Sequence, residues 1–251
     1  LVSMIAEARD LKPRAVRTRI DNGPYIARSA LDAGLIDAVE FRDEFVKSVR
    51  KKLAEPVTID NRYDATAKPS FDLTNIFSIL SLFSTGSPDS AGDSADQIAL
   101  IFVEGMILPG YYRPSAFGDI KNAYSGDIRK ALERAAASAA IKAVVIRVNS
   151  PGGSAEASEV IWNAVRRVKT KKTVVVSMGN VAASGGYYVA CGADTIFADA
   201  ATITGSIGVV GGKFVTTGLW GNLGIDFTDY KRGANADMLS SARRWNDDQR
   251  R

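Results

Sequence analysis

The stretch AVVIRVNSPGGSAEASEVIWNAVRRVKTKKTVVVSMGNVAASGGYY, residues 143–188, decides the fold. It opens on AVVIRV (143–148) and later holds TVVVSM (173–178), two β-branched runs of strand length that are largely apolar on both faces. Such runs suit a parallel sheet covered by helices. Between them Ala157, Val160, Ile161, Ala164, Val165 and Val168 recur at helical spacing and draw one apolar stripe. Ser154 can cap that helix, and Glu156 in its first turn complements the helix dipole. Strand, helix and strand make a βαβ unit, with a right-handed crossover expected.

Two glycine-rich turns follow the two strands. Asn149-Ser150-Pro151-Gly152-Gly153-Ser154 feeds the helix N-terminus, where glycines let backbone N–H groups approach a ligand and the dipole favours negative charge. The alternative is a tight turn with no ligand, and no Gly-Lys-Ser/Thr follows to make it a phosphate loop. Ala182-Ala183-Ser184-Gly185-Gly186-Tyr187-Tyr188 sets a lone serine among small residues at a strand-to-helix junction, the logic of a nucleophile elbow. Read alone, Ser184 is more often a helix N-cap than a nucleophile. Two such turns at the carboxyl ends of neighbouring strands shift that balance, because this edge of an α/β sheet is where ligands bind. Together they offer a nucleophile and an oxyanion hole.

Outward from this core, IALIFV (98–103) and TIFA (195–198) read as further strands, a helix is expected over about 126–140, and DFTDY (226–230) reads as another strand. A third turn, Thr204-Gly205-Ser206-Ile207-Gly208, follows TIFA. Cys191 falls in the apolar helix after Ser184 and reads as a core residue. Residues 1–53 are helical by pattern, with Ile20, Ala27, Ala30, Leu31, Leu35 and Ile36 on one face, Asn22-Gly23-Pro24 as a break and Gly34 as a stop. Proline and Ser/Gly/Asp-rich text then surrounds a short apolar segment at 71–83, which is too short to cross a bilayer; a buried or interfacial helix and a membrane-surface anchor both fit it.

Composition removes whole classes of chemistry. The 251 residues include no histidine, so this chain supplies no Ser-His-Asp triad and no His-ligated metal site. The single Cys191 allows no internal disulfide framework and no multi-thiolate zinc site. A net charge of +4, with the densest basic clusters short, at 50–52 and 169–172, implies no nucleic-acid partner. Any base must be lysine, a carboxylate or a group from elsewhere.

The order SPGG, MGNVAASGGYY, TITGSIGV resembles the signal peptide peptidase SppA family, Ser-Lys proteases of the Clp/crotonase-like fold. The resemblance runs from about residue 98 to 241, and IDNGPYIARSALDAGLIDAVEFRDEF (20–45) resembles the helical tail that closes an SppA repeat. It implies an α/β chain of three parts: 1–60, the tail of an upstream repeat; 61–97, a linker or surface excursion; and 98–251, a peptidase domain. The opening at Leu1 and the polar end at Arg251 fit an excerpt of a longer, tandem-repeat protein.

The resemblance further implies that Ser184 is the nucleophile and that Ser206 hydrogen-bonds the catalytic lysine. Gly152 and Gly153 stand where the family builds part of its oxyanion hole, with Gly185 as a second donor. Single-repeat members carry the lysine three residues after a glycine; here Lys231-Arg232-Gly233-Ala234-Asn235-Ala236 puts Ala236 in that slot. Tandem members hold the lysine in the first repeat, which would place it upstream of Leu1. Lys231, the substitute base to weigh, lies five residues before the slot with Arg232 beside it and Asp229 two residues back, and reads, like Lys213 after Gly211-Gly212, as a surface residue. No metal or organic cofactor is implied. The partners implied are peptide substrates (signal-peptide remnants), the upstream repeat and further copies in a tetramer-like ring. The expected location is membrane-associated, with the catalytic domain on the periplasmic face. A crotonase-type acyl-CoA enzyme shares the fold and the paired N–H donors without needing Ser184, and an inactive scaffold domain would keep only the fold.

Overall fold

The computed structural model describes residues 1–53, 96–113 and 121–250. They fall into two compact units: the two ends, 1–53 with 211–250, and the stretch between, 96–113 with 121–210. The apolar segment 71–83 lies outside the described residues.

The unit of the ends begins with four helices, α1 (Val2–Ala8), α2 (Pro13–Asn22), α3 (Ala27–Asp32) and α4 (Arg42–Leu53). Pro13 opens α2, where its missing N–H costs nothing. Gly34, at φ +68°, ends the turn after α3 as expected of it. In α4, Asp43 and Glu44 occupy the first turn and Arg50, Lys51 and Lys52 the last, so the basic cluster at 50–52 complements a helix dipole. The chain returns to these helices far along the sequence. The Ala234 N–H donates to Asp21 Oδ1 at 3.0 Å, and Asn235 Nδ2 donates to the Gly23 carbonyl at 2.8 Å.

Residues 226–230 form no strand; Asp229 instead pairs with Arg243. A run that alternates charge with apolar residues needs a partner strand to extend, and these residues have none among the described residues. Asp237, little exposed, lies 2.9 Å from Lys231 Nζ and 2.8 Å from Arg243 Nε. The Lys231 hydrogen bond, aided by the Arg243 charge, holds the Asp237 carboxyl below the usual carboxylate range. A carboxyl whose folded pKa is depressed stabilises above its unfolded value, about pH 4, and that contribution is lost as pH falls through the lower folded value. Amide exchange over 229–245, corrected for intrinsic rates, is therefore expected to rise below about pH 4. Asp237→Asn should show the same loosening at neutral pH, and equal protection in both proteins at pH 7 would refute it.

The second unit is β1 (Gln97–Glu104), β2 (Ile107–Leu108), β3 (Ala123–Tyr124), α5 (Ser125–Ala137), β4 (Ile141–Ser150), α6 (Ala155–Lys169), β5 (Thr173–Ala183), α7 (Gly185–Ala190), β6 (Thr195–Phe197) and β7 (Ile203–Gly205). Beyond it, in the unit of the ends, lies α8 (Thr217–Asn222). The strands β1, β4, β5 and β6 lie side by side and all parallel, and β7 pairs with the far end of β5. A small parallel pair, β2–β3, stands apart. The βαβ unit read from the sequence is present, and the Ser154 hydroxyl caps α6 by accepting the Ala157 N–H at 3.1 Å.

Alternate residues of the strands, Ile101 and Val103, then Val144, Ile146 and Val148, then Val174, Val176 and Met178, pack against Leu132 of α5 and Ala157, Ile161, Val165 and Val168 of α6. Complete burial of such side chains contributes about 1.5–3 kcal/mol each. Among the described residues, helices cover one face of the sheet only. Ile98, Leu100 and Phe102 of β1 are 66%, 56% and 51% exposed, and the register aligns them with Ala143, Val145 and Arg147 of β4. The reason lies in the strand order: β1, β4, β5 and β6 are added in one direction, so crossovers of one hand put their helices on one face. Arg147, the cation on that open face, is held down by its bonds to Ser177 Oγ and the Met178 carbonyl, both 2.7 Å.

Candidate active site

Strand β5 carries the site. Its register against β4 slips between Val148↔Met178 and Ser150↔Ala182, so β5 holds extra residues there. Within the slip, the Asn149 side chain accepts the Val181 N–H at 3.2 Å, and a Cβ on Gly179 would stand 2.9 Å from that side chain. The last residues of β5, Val181 to Ala183, pair with β7.

Ser184 comes next, at φ +50° and ψ −117°. A side chain rarely tolerates this backbone, and such strain gathers at functional sites. Two backbone bonds hold it: the Ser184 N–H donates to the Gly205 carbonyl at 2.8 Å, and the Tyr188 N–H donates to the Ser184 carbonyl at 2.9 Å. Ser184 occupies the N-cap position of α7, yet its hydroxyl caps nothing. Ser154 behaves in the opposite way at the head of α6. The Ser184 Oγ makes no hydrogen bond among the described residues.

The two glycine turns meet here. A Cβ on Gly152 would lie 2.9 Å from Ser184 Cβ and 2.7 Å from the Gly185 nitrogen; one on Gly185 would lie 2.4 Å from Ser158 Oγ and 3.4 Å from the Gly153 nitrogen. Gly152 and Gly153 adopt φ +102° and +152°, open only to glycine. The Gly152 N–H is engaged internally, donating to Ser150 Oγ at 3.1 Å. The N–H groups of Gly153 and Gly185 make no hydrogen bond among the described residues. Beside Ser184 the chain thus presents two unengaged backbone donors, an arrangement that can hold an oxyanion.

Neighbouring groups brace the junction. Ile107 N–H donates to the Gly152 carbonyl and the Ile107 carbonyl accepts the Ser154 N–H, each at 2.9 Å, so β2 grips the first turn. Tyr188 of α7 donates its hydroxyl to the Glu159 carboxylate of α6, and that bond, with burial and the Glu159 charge, pushes its phenol up to about 12. Trp162 packs beside Tyr188 with ring centres 5.8 Å apart.

Ser206 lies one residue beyond Gly205, exposed and at φ +49°. The two lysines set aside as surface residues differ. Lys231 is ion-paired with Asp237. The Lys213 amine is buried with no hydrogen-bond partner among the described residues and lies 5.5 Å over the Trp245 ring. Cys191 is exposed rather than in the core. The six-residue α7 turns Val189 and Ala190 inward and leaves Cys191, at its C-cap, facing out.

Ile107 and Ser158 escaped sequence reasoning as parts of the site, and Asn149 and Ser150 were legible only as members of the first turn. Ser158 alone had a signal, a hydroxyl inside the apolar stripe of α6, where it is wholly buried and donates to the Ser154 carbonyl at 2.8 Å.

Residues 166–251 match peptidase family S49, and residues 115–204 match Clp protease. The chloroplastic serine protease SPPA of Arabidopsis thaliana is 31% identical over 248 residues, 96% of this chain and 33% of that protein. Protease 4 of Haemophilus influenzae is 47% identical over 115 residues, 45% of this chain and 18% of that protein. This chain therefore spans a third or less of these relatives. ClpP1 from Listeria monocytogenes overlays with a TM-score of 0.28 at 20% identity, over 41% of this chain and 59% of that one. The parallel α/β unit is of the Clp/crotonase-like kind, and the chain is similar to the SppA-type proteases of peptidase family S49.

Proposed function

We propose that this chain carries the nucleophile of a serine endopeptidase of the Ser-Lys type. The carrying observation is Ser184 itself: a strained, uncapped serine at the end of β5, packed against the Gly152–Gly153 turn with two unengaged N–H donors beside it. Ser184 Oγ attacks a peptide carbonyl carbon while its proton passes to a neutral lysine amine. The Gly153 and Gly185 N–H groups hold the oxyanion as it forms. Collapse breaks the C–N bond, and the lysine returns the proton to the departing amine. Water, deprotonated by the same lysine, then releases the acyl group from Ser184.

The base comes from outside this stretch. Ala236 fills the slot where a lysine is expected, and Lys231 is already paired with Asp237. Ser206, next to the residue that anchors the Ser184 backbone, hydrogen-bonds that lysine. Substrates are apolar peptides such as signal-peptide remnants, cut at a membrane on its periplasmic side by an oligomer of this protein.

The test uses the full-length protein that contains this segment. A fluorophosphonate probe should label it, and Ser184→Ala should abolish both labelling and hydrolysis of an apolar peptide. Hydrolysis that persists in Ser184→Ala refutes the reading. Thermal stabilisation by coenzyme A without labelling would reassign the chain to the acyl-CoA enzymes, and neither response would leave a scaffold.

A further inference from the structure

The turn that faces Ser184 is fixed by a side chain with no place in the mechanism above. Ser150 ends β4, is wholly buried, and receives the Gly152 N–H on its Oγ at 3.1 Å. Pro151 between them has no N–H to offer. On the other side of Gly152, its carbonyl receives the Ile107 N–H at 2.9 Å. That carbonyl shares one planar trans peptide with the Gly153 N–H, so a carbonyl drawn toward Ile107 points the Gly153 N–H the opposite way. Two adjacent N–H groups could compete for an anion beside Ser184, and the Ser150 hydroxyl removes one of them.

We infer that Ser150 is a positioning residue for the oxyanion hole: by taking the Gly152 N–H it locks the turn so that Gly153 alone, with Gly185, faces the developing charge. This rests on Ser184 being the nucleophile. Without the hydroxyl, the Gly152 N–H is left buried and unpaired, and the turn can rotate toward a new acceptor. Gly153 then loses its aim. The loss belongs to the transition state, because the ground-state carbonyl is neutral and asks little of either donor. Sub-ångström misplacement of such a donor costs a sizeable part of what deleting it would cost.

The experiment compares Ser150→Ala, Ser150→Thr and Ser184→Ala in the full-length protein, with an apolar peptide substrate and a peptide aldehyde that forms a hemiacetal with a nucleophilic serine. Ser150→Ala should lower kcat about ten- to hundredfold with KM within about twofold, and weaken the aldehyde by the same factor as kcat/KM. Ser150→Thr keeps the acceptor and should recover most of the rate. Thermal melting of each variant separates loss of fold from loss of aim. An Ala variant that keeps kcat, or one that loses rate with unchanged aldehyde affinity, overturns the inference. If Ser184→Ala still turns over, the nucleophile assignment fails instead, which makes the two failures distinguishable.

Discussion

Ser184→Gly is expected to make the protein chemically inert and more resistant to heat. A side chain held at φ +50° and ψ −117° costs about 1–3 kcal/mol, whereas glycine reaches that backbone without the penalty. Against this, glycine adds freedom to the unfolded chain, about 0.5–1 kcal/mol. Nothing else is lost, since the Ser184 hydroxyl caps no helix and the two bonds that hold the junction are backbone bonds. The net gain is about 1 kcal/mol, or roughly 2–4 °C in Tm. Ser184→Ala provides the contrast. It removes the same oxygen but keeps Cβ, so it should lose labelling equally and melt with the unaltered protein. Identical melting of the Gly and Ala variants would show that the junction stores no strain.

Gly152→Ala should damage fold and chemistry together. Its Cβ would lie 2.7 Å from the Gly185 nitrogen, 2.9 Å from Ser184 Cβ and 3.0 Å from the Ala183 carbonyl oxygen, at a φ of +102°. Two of these neighbours are backbone, so no rotamer change relieves the contact. Strain and overpacking together cost about 2–4 kcal/mol. The cheapest escape pushes the first turn away from the second, which separates the two N–H donors and moves Ser184. Turnover and the rate of fluorophosphonate labelling should both fall about a hundredfold or more. Gly208→Ala, with nothing within 4 Å of its added Cβ, is the control and should match the unaltered protein. A Gly152→Ala protein with ordinary melting and labelling would mean that the two turns do not abut.

The sequence made the βαβ unit legible because its signals are local. Strand runs, a helical stripe, a capping serine and a glycine turn each lie within a few residues, and Ser154 caps α6 as read. The pairing of Ser184 with the SPGG turn was legible for the same reason, since both follow neighbouring parallel strands. What escaped depends on partners distant in the chain. Ile107 sits in a two-residue strand, too short for any periodicity, yet its backbone grips the turn at Gly152–Gly153. Cys191 reads as a core residue because its neighbours are apolar, but one residue past a short helix is enough to face it outward. DFTDY has strand composition and no strand to join among the described residues. The open sheet face follows from strand order, which no single run of sequence reveals.

The split pairing of β5 has a consequence for how this protein can change. Its first half, at Val175 to Ser177, is secured between β4 and β6, while Val181 to Ala183 pair with the separate β7. The strand therefore meets different neighbours at its two ends, with the register slip as a joint between them and Ser184 following the second. Substitutions around β7 therefore act first on the half of the strand that leads into Ser184. Lineages that inherit this strand can alter their chemistry, or discard it, while keeping the scaffold intact.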